Sequence, residues 1–191
     1  AYHECGHTIV AELLPTTAPV HRVSIVQRGI AALGYTLQLP TEDRYLMTRT
    51  ELLDKLCVML GGRVAEEIVF GEVSTGAQND LQRAAAIVRS MVKEYGMSEK
   101  FGPLTFEKER RPLFLDVGLP NGPKEYSEDT ARELDQEVKK LIDGSYQKVK
   151  EMLTANQDRL RTLAKVLLEK ETLEGDEIRK ILGLPEKKKE A

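Results

Sequence analysis

Apolar residues recur at helical spacing over most of this chain and switch to alternation in one short stretch near its start. From Ala1 to Leu14, Ile9, Val10, Leu13 and Leu14 form a stripe that Pro15 ends, which predicts a helix. From His21 to Gln27, Val23 and Ile25 alternate with Arg22 and Ser24, and alternation returns over Leu33 to Leu39 after a glycine-containing turn. These are two short strands, expected to pair. Thr48-Arg49-Thr50-Glu51 matches a capping box, and Leu52, Leu53, Leu56, Met59 and Leu60 carry a helix on toward Phe70. Gly61 and Gly62 fall inside it. Each costs about 1 kcal/mol against Ala in a helix, so the pair predicts a point where another backbone comes very close.

Ser74 to Asp80 reads as a turn into a helix over Leu81 to Tyr95, which Gly96 stops. Pro103, Pro112, Gly118, Pro120, Gly122 and Pro123 dissolve any period between Phe101 and Lys124, so 101–125 is expected to be a mobile loop. Ser127 caps an amphipathic helix running to Leu153, a second helix spans about Gln157 to Lys170, and the simplest arrangement for the two is antiparallel. A short helix over Glu174 to Leu182 precedes a charged tail, Glu186 to Ala191, expected to be solvated. The fold class is therefore mainly α with one β-hairpin. The 191 residues are read as a single domain in three parts: 1–100, the loop 101–125, and C-terminal helices over 126–191.

Composition narrows the function classes. At 41% hydrophobic and 31% charged residues the chain is too apolar for a disordered tail and too charged for a membrane bundle, and no apolar run nears the roughly 20 residues of a spanning helix. A net charge of -3 lacks the basic surface of a nucleic-acid binder, so nucleic acid is not an expected partner. Two cysteines, Cys5 and Cys57, make no disulfide framework and fit a reducing compartment. The chain opens at Ala1, without Met and already in helical sequence, which leads us to expect a piece of a longer polypeptide.

The sharpest chemical signal is His3-Glu4-Cys5-Gly6-His7. At about 100° per residue, His7 returns to within about 40° of His3 one turn later, so both imidazoles can reach one metal ion. Glu4 flanks that face, placed to take a proton from a water that the metal activates without being a ligand itself. Cys5 lies about 200° round from His3 and is read as packing. Two imidazoles need a third ligand. A metzincin would have His six residues after His7, where Leu13 stands, and no Glu of the thermolysin kind occurs between Glu12 and Glu42. His21, Glu66, Glu67, Glu72 and Asp80 remain open on spacing alone, and Asp80 would also be at home in a helix's first turn.

These segments, together with Ala32-Leu33-Gly34-Tyr35-Thr36, Leu60-Gly61-Gly62-Arg63-Val64-Ala65-Glu66-Glu67, Ser74-Thr75-Gly76-Ala77-Gln78-Asn79-Asp80 and Leu168 to Asp176, closely resemble the peptidase domain of the FtsH family over almost the whole chain. The resemblance implies a helical zinc-peptidase domain with a hairpin near the active site and a C-terminal helical bundle. It implies an endopeptidase that is ATP-dependent and membrane-anchored, with its ATPase module and anchor N-terminal to Ala1, this domain in the cytoplasm or an equivalent organelle compartment, and a ring of six subunits acting on unfolded polypeptides. In that family the Asp of the Asn-Asp pair is the third zinc ligand, which carries over to Asp80 and leaves Glu66 and Glu67 supporting roles. Cys5 stands where the family more often has Ala. The chain lacks a Gly-x-x-x-x-Gly-Lys-Ser/Thr loop, so ATP belongs only to the implied module. The Gly34 to Leu37 strand resembles the family's substrate-side edge strand, the alternative being an ordinary core hairpin. Two rivals stand beside a peptidase: a helical assembly domain without chemistry, and a zinc hydrolase acting on another bond.

Overall fold

The computed structural model describes residues 1–26, 34–39, 46–106 and 126–185. Helix α1 (Tyr2–Leu13) leads to strand β1 (Val20–Ser24) and strand β2 (Tyr35–Gln38). Helix α2 (Arg49–Phe70), a 3-10 turn (Thr75–Ala77) and helix α3 (Gln78–Lys93) follow. Helices α4 (Glu128–Ala155) and α5 (Gln157–Lys170), strand β3 (Thr172–Glu174) and helix α6 (Gly175–Leu182) complete the order. The protein is thus mainly helical with one small antiparallel sheet. The turn between the expected strands, residues 107–125 of the expected loop and the charged tail lie outside the described residues.

Local chemistry sets these boundaries. Thr48 Oγ1 accepts the Glu51 amide at 3.3 Å while the Glu51 carboxylate accepts the Thr48 amide at 2.6 Å, the reciprocal cap that starts α2. Gly71, at φ 70°, ends it in the left-handed conformation that glycine tolerates best. Ser127 Oγ accepts the Thr130 amide and starts α4. Helix α3 begins at Gln78, three residues before its apolar period, because the 3-10 turn capped by Ser74 feeds directly into it. That places Asp80 in the first turn.

The sheet has the order β2-β1-β3, with Val23 opposite both Thr36 and Leu173. Strand β3 is an addition to the expected hairpin: three residues between two helices are too short to show alternation. The long C-terminal helices also depart from the antiparallel pair. Only Asn156 separates them, and α5 packs more against α1 and α6 than along α4, which lies on α2 and α3. Residues 101–106 of the expected loop are tied to the body by the Ser98–Gly102 bridge, the Phe106 amide on the Lys93 carbonyl, and edge-on contacts of Phe106 with Phe101 and Tyr126.

One core runs through these elements. It joins Cys5, Ile9 and Val10 of α1 to Leu56, Leu60 and Val64 of α2, and to Leu160, Leu163 and Leu167 of α5, all essentially without exposure. Glu12 is buried among them, where it accepts the Val20 amide at 2.7 Å and faces Arg179 Nη1 at 3.5 Å, linking α6 to α1 and β1. The predicted close approach at Gly61 is made by α1. A Cβ on Gly61 would stand 2.8 Å from the Gly6 carbonyl oxygen, and one on Gly6 would overlap the Gly61 carbonyl oxygen and sit 2.7 Å from Ala65 Cβ. The two backbones touch where side chains would separate them. Gly6→Val is expected to lower unfolding free energy by about 3 kcal/mol or more, read by urea titration, since neither backbone can retreat from a buried contact.

Candidate metal centre

The first two turns of α1 present His3 and His7 on the face that meets α2. His7 Nδ1 donates to the Val58 carbonyl at 2.6 Å, and His3 Nδ1 donates to Glu66 Oε1 at 3.2 Å. A carbonyl and a carboxylate oxygen only accept, so both rings carry their proton on Nδ1 and turn a bare Nε2 lone pair inward. The two Nε2 atoms are 3.0 Å apart, and Asp80 Oδ2 lies 3.3 Å from one and 3.4 Å from the other. Three acceptors without a donor between them repel unless a cation or a proton joins them. Tetrahedral bonds of about 2.0–2.1 Å, as zinc makes to nitrogen and oxygen, have edges of about 3.3–3.4 Å, close to this triangle. The donor set and its outward hydrogen bonds therefore fit a small divalent ion.

Electrostatics agree with the geometry. Burial works against a charged His3, yet the bond that a protonated Nε2 would donate to Asp80 and the carboxylates of Glu4, Glu66 and Asp80 outweigh it and raise its pKa above the usual value. Burial would likewise raise Asp80, but the His3 and His7 contacts hold its carboxyl well below the usual range. The carboxylate also sits at the N-terminus of α3, where the helix dipole favours a negative charge.

Space for the rings comes from Gly62. A Cβ there would lie 2.5 Å from His3 Cε1 and 2.5 Å from His7 Nε2, so the second glycine of the pair leaves room for the imidazoles while the first admits the helix. Among the open third-ligand candidates, only Asp80 joins the two Nε2 atoms among the described residues. Glu66 instead accepts from His3 and, through Oε2, from Ser74 Oγ at 3.1 Å, so one side chain braces both the imidazole and the loop leading to Asp80. Glu67 faces Tyr146 and Lys150, while His21 and Glu72 are exposed. Cys5 is buried away from the centre, and burial pushes its thiol up to about 12.

Glu4 lies beside the triangle on the same helix. Its Oε2 accepts Thr36 Oγ1 from β2 at 3.0 Å, and a Cβ on Gly34 would come within 3.1 Å of its Oε1. Periodicity alone gives no sign of these two contacts, nor of the Val58 carbonyl, because each crosses between elements distant in sequence.

The family model described as Peptidase family M41 matches residues 1–181. An ATP-dependent zinc metalloprotease FtsH of Syntrophobacter fumaroxidans is 59% identical over 179 residues, 94% of this chain and 28% of that protein. Its namesake in Thermotoga maritima is 51% identical over 183 residues, 96% of this chain and 30% of that protein. The chain thus spans less than a third of the length of these curated relatives. Among the described residues no helix is long and apolar enough to cross a membrane.

Two outcomes are expected. Gly62→Ala should weaken divalent-ion affinity about 10- to 100-fold in competition with a chromophoric chelator, although Ala by itself favours the helix by about 1 kcal/mol. Protons compete for the same lone pairs, and the raised pKa of His3 means that this competition begins above its ordinary 6.5. Affinity should therefore be about tenfold weaker at pH 6 than at pH 8 by the same titration.

Proposed function

The chain belongs to peptidase family M41, and we propose that it is the proteolytic domain, over residues 1–191, of an ATP-dependent, membrane-anchored zinc endopeptidase that hydrolyses unfolded or delivered polypeptides. The observation that carries this reading is the meeting of His3 Nε2, His7 Nε2 and Asp80 Oδ2 with both Nδ1 atoms already committed. In this reading those three atoms hold Zn²⁺. Bound there, zinc supplies a Lewis acid that polarises a peptide carbonyl and makes water nucleophilic near neutral pH.

The protein's own groups do the rest. Glu4, next to His3 and outside the triangle, takes a proton from the attacking water and passes it to the leaving amine. Glu66 and the Val58 carbonyl fix the ring orientations and keep each Nε2 unprotonated. Strand β2 is an outer strand of the sheet beside Glu4, where an extended peptide can add by main-chain hydrogen bonds that read no side chain. Tolerance of many sequences follows, with selection falling to the delivery of substrate.

That delivery we assign to an ATPase module and membrane anchor N-terminal to this chain, in a ring of six subunits with this domain in the cytoplasm or an equivalent organelle compartment. The support is the relatives' description as ATP-dependent and the large part of their length beyond this segment. No nucleic acid enters this scheme.

Glu4→Gln in the full-length protein should retain stoichiometric zinc and lose casein cleavage by about 100-fold or more. Asp80→Asn and His7→Ala should lose zinc itself, measured by elemental analysis. Full cleavage by the Glu4→Gln protein would overturn the assigned base.

A further inference from the structure

We propose that Thr36 is a positioning residue for Glu4, its hydroxyl holding Oε2 so that Oε1, beside Gly34, is the oxygen that exchanges the proton. The inference rests on the reading of Glu4 as the base.

A threonine hydroxyl has one proton to give. Thr36 Oγ1 has three oxygens in reach: Glu4 Oε2 at 3.0 Å, the Glu4 carbonyl at 3.2 Å and, farthest, Thr8 Oγ1 at 3.5 Å. The carbonyl is already served by Thr8 Oγ1, which donates to it at 2.8 Å within the helix. The Thr36 proton therefore goes to the charged and nearest acceptor. Among the described residues, no other group donates to the Glu4 carboxylate. The hydroxyl is itself well anchored. Thr36 is paired with the fully buried Val23, which Leu173 backs from the other side, and a β-branched side chain has few rotamers to lose.

Gly34 completes the arrangement on the other oxygen. A Cβ there would stand 3.1 Å from Oε1, 3.0 Å from Cγ and 2.8 Å from the Ser24 carbonyl oxygen, so a side chain would press the carboxylate away while the strand held it. Strand β2 and the residue just before it thus give Glu4 one donor and one opening. With one oxygen bonded and the other bare, the carboxylate is oriented for a single proton exchange.

The test compares wild type, Thr36→Val, Thr36→Ser and Gly34→Ala in the full-length protein, reading kcat and KM on an unfolded-protein substrate together with zinc content. Thr36→Val keeps the β-branched shape and removes the hydroxyl. It is expected to lower kcat about 10- to 100-fold with KM and zinc content near wild type, and Thr36→Ser is expected to restore most of the loss. Gly34→Ala should also lower kcat at full zinc content. Wild-type kcat in Thr36→Val, failure of Thr36→Ser to rescue, or loss that appears as zinc depletion or raised KM would overturn the inference. Unimpaired Gly34→Ala would overturn the assignment of Oε1. A wild-type protein without chelator-sensitive cleavage would instead overturn the peptidase reading on which this rests.

Discussion

The closeness of two helix backbones governs this structure. Where Gly6 of α1 meets Gly61 of α2, no Cβ fits between the chains, and each backbone lies against the other. At that separation the Val58 carbonyl can take the His7 ring proton and the Glu66 carboxylate can take that of His3. A wider crossing, of the kind ordinary side chains impose, would leave both rings free to turn. The burial of Cys5, Ile9, Leu56, Leu60 and Val64 around the contact supplies the apolar free energy that holds so tight an interface closed.

From that contact the centre is assembled by groups facing outward as much as inward. Glu66 couples two loci that sequence separates, the imidazole on α1 and the Ser74 loop that starts α3. Arg63 adds a second brace by donating to the Ser74 carbonyl at 3.1 Å. Asp80 then reaches the imidazoles from a helix start whose dipole suits its charge. The carboxylate nearest to His3 in the sequence, Glu4, is held by a different element, the sheet, and so stays out of the triangle. Two carboxylates near one site are held apart by what each is bonded to.

Much of this is legible in the amino-acid sequence, and what is not has a physical reason. A turn of helix forces residues four apart onto one face, so His3 and His7 declare themselves by spacing. Caps are equally local, which is why Thr48, Glu51 and Ser127 mark helix starts correctly. The glycine pair predicts a close approach, but not that Gly61 serves the helix and Gly62 the imidazoles. Spacing leaves His21, Glu66, Glu67, Glu72 and Asp80 all open, because a contact closed over more than 60 residues, as that between His3 and Asp80 is, depends on packing that no local period encodes. Thr36 and Gly34 read only as strand residues. Strand β3 and the turn away from an antiparallel α4 and α5 escape for a similar cause: both are decided by what α1 and β1 offer to the end of the chain.

The middle strand of the sheet joins segments that lie far apart in the sequence. Strand β1 takes β2 on one side and residues 172–174 on the other, and Arg179 of the last helix reaches Glu12 of the first. Translation delivers His3 and Glu4 long before Leu173, so a growing chain carries the imidazoles while the sheet beneath Thr36 still lacks its third strand. The sheet that carries Thr36 is therefore complete only once residues 172–174 have joined β1.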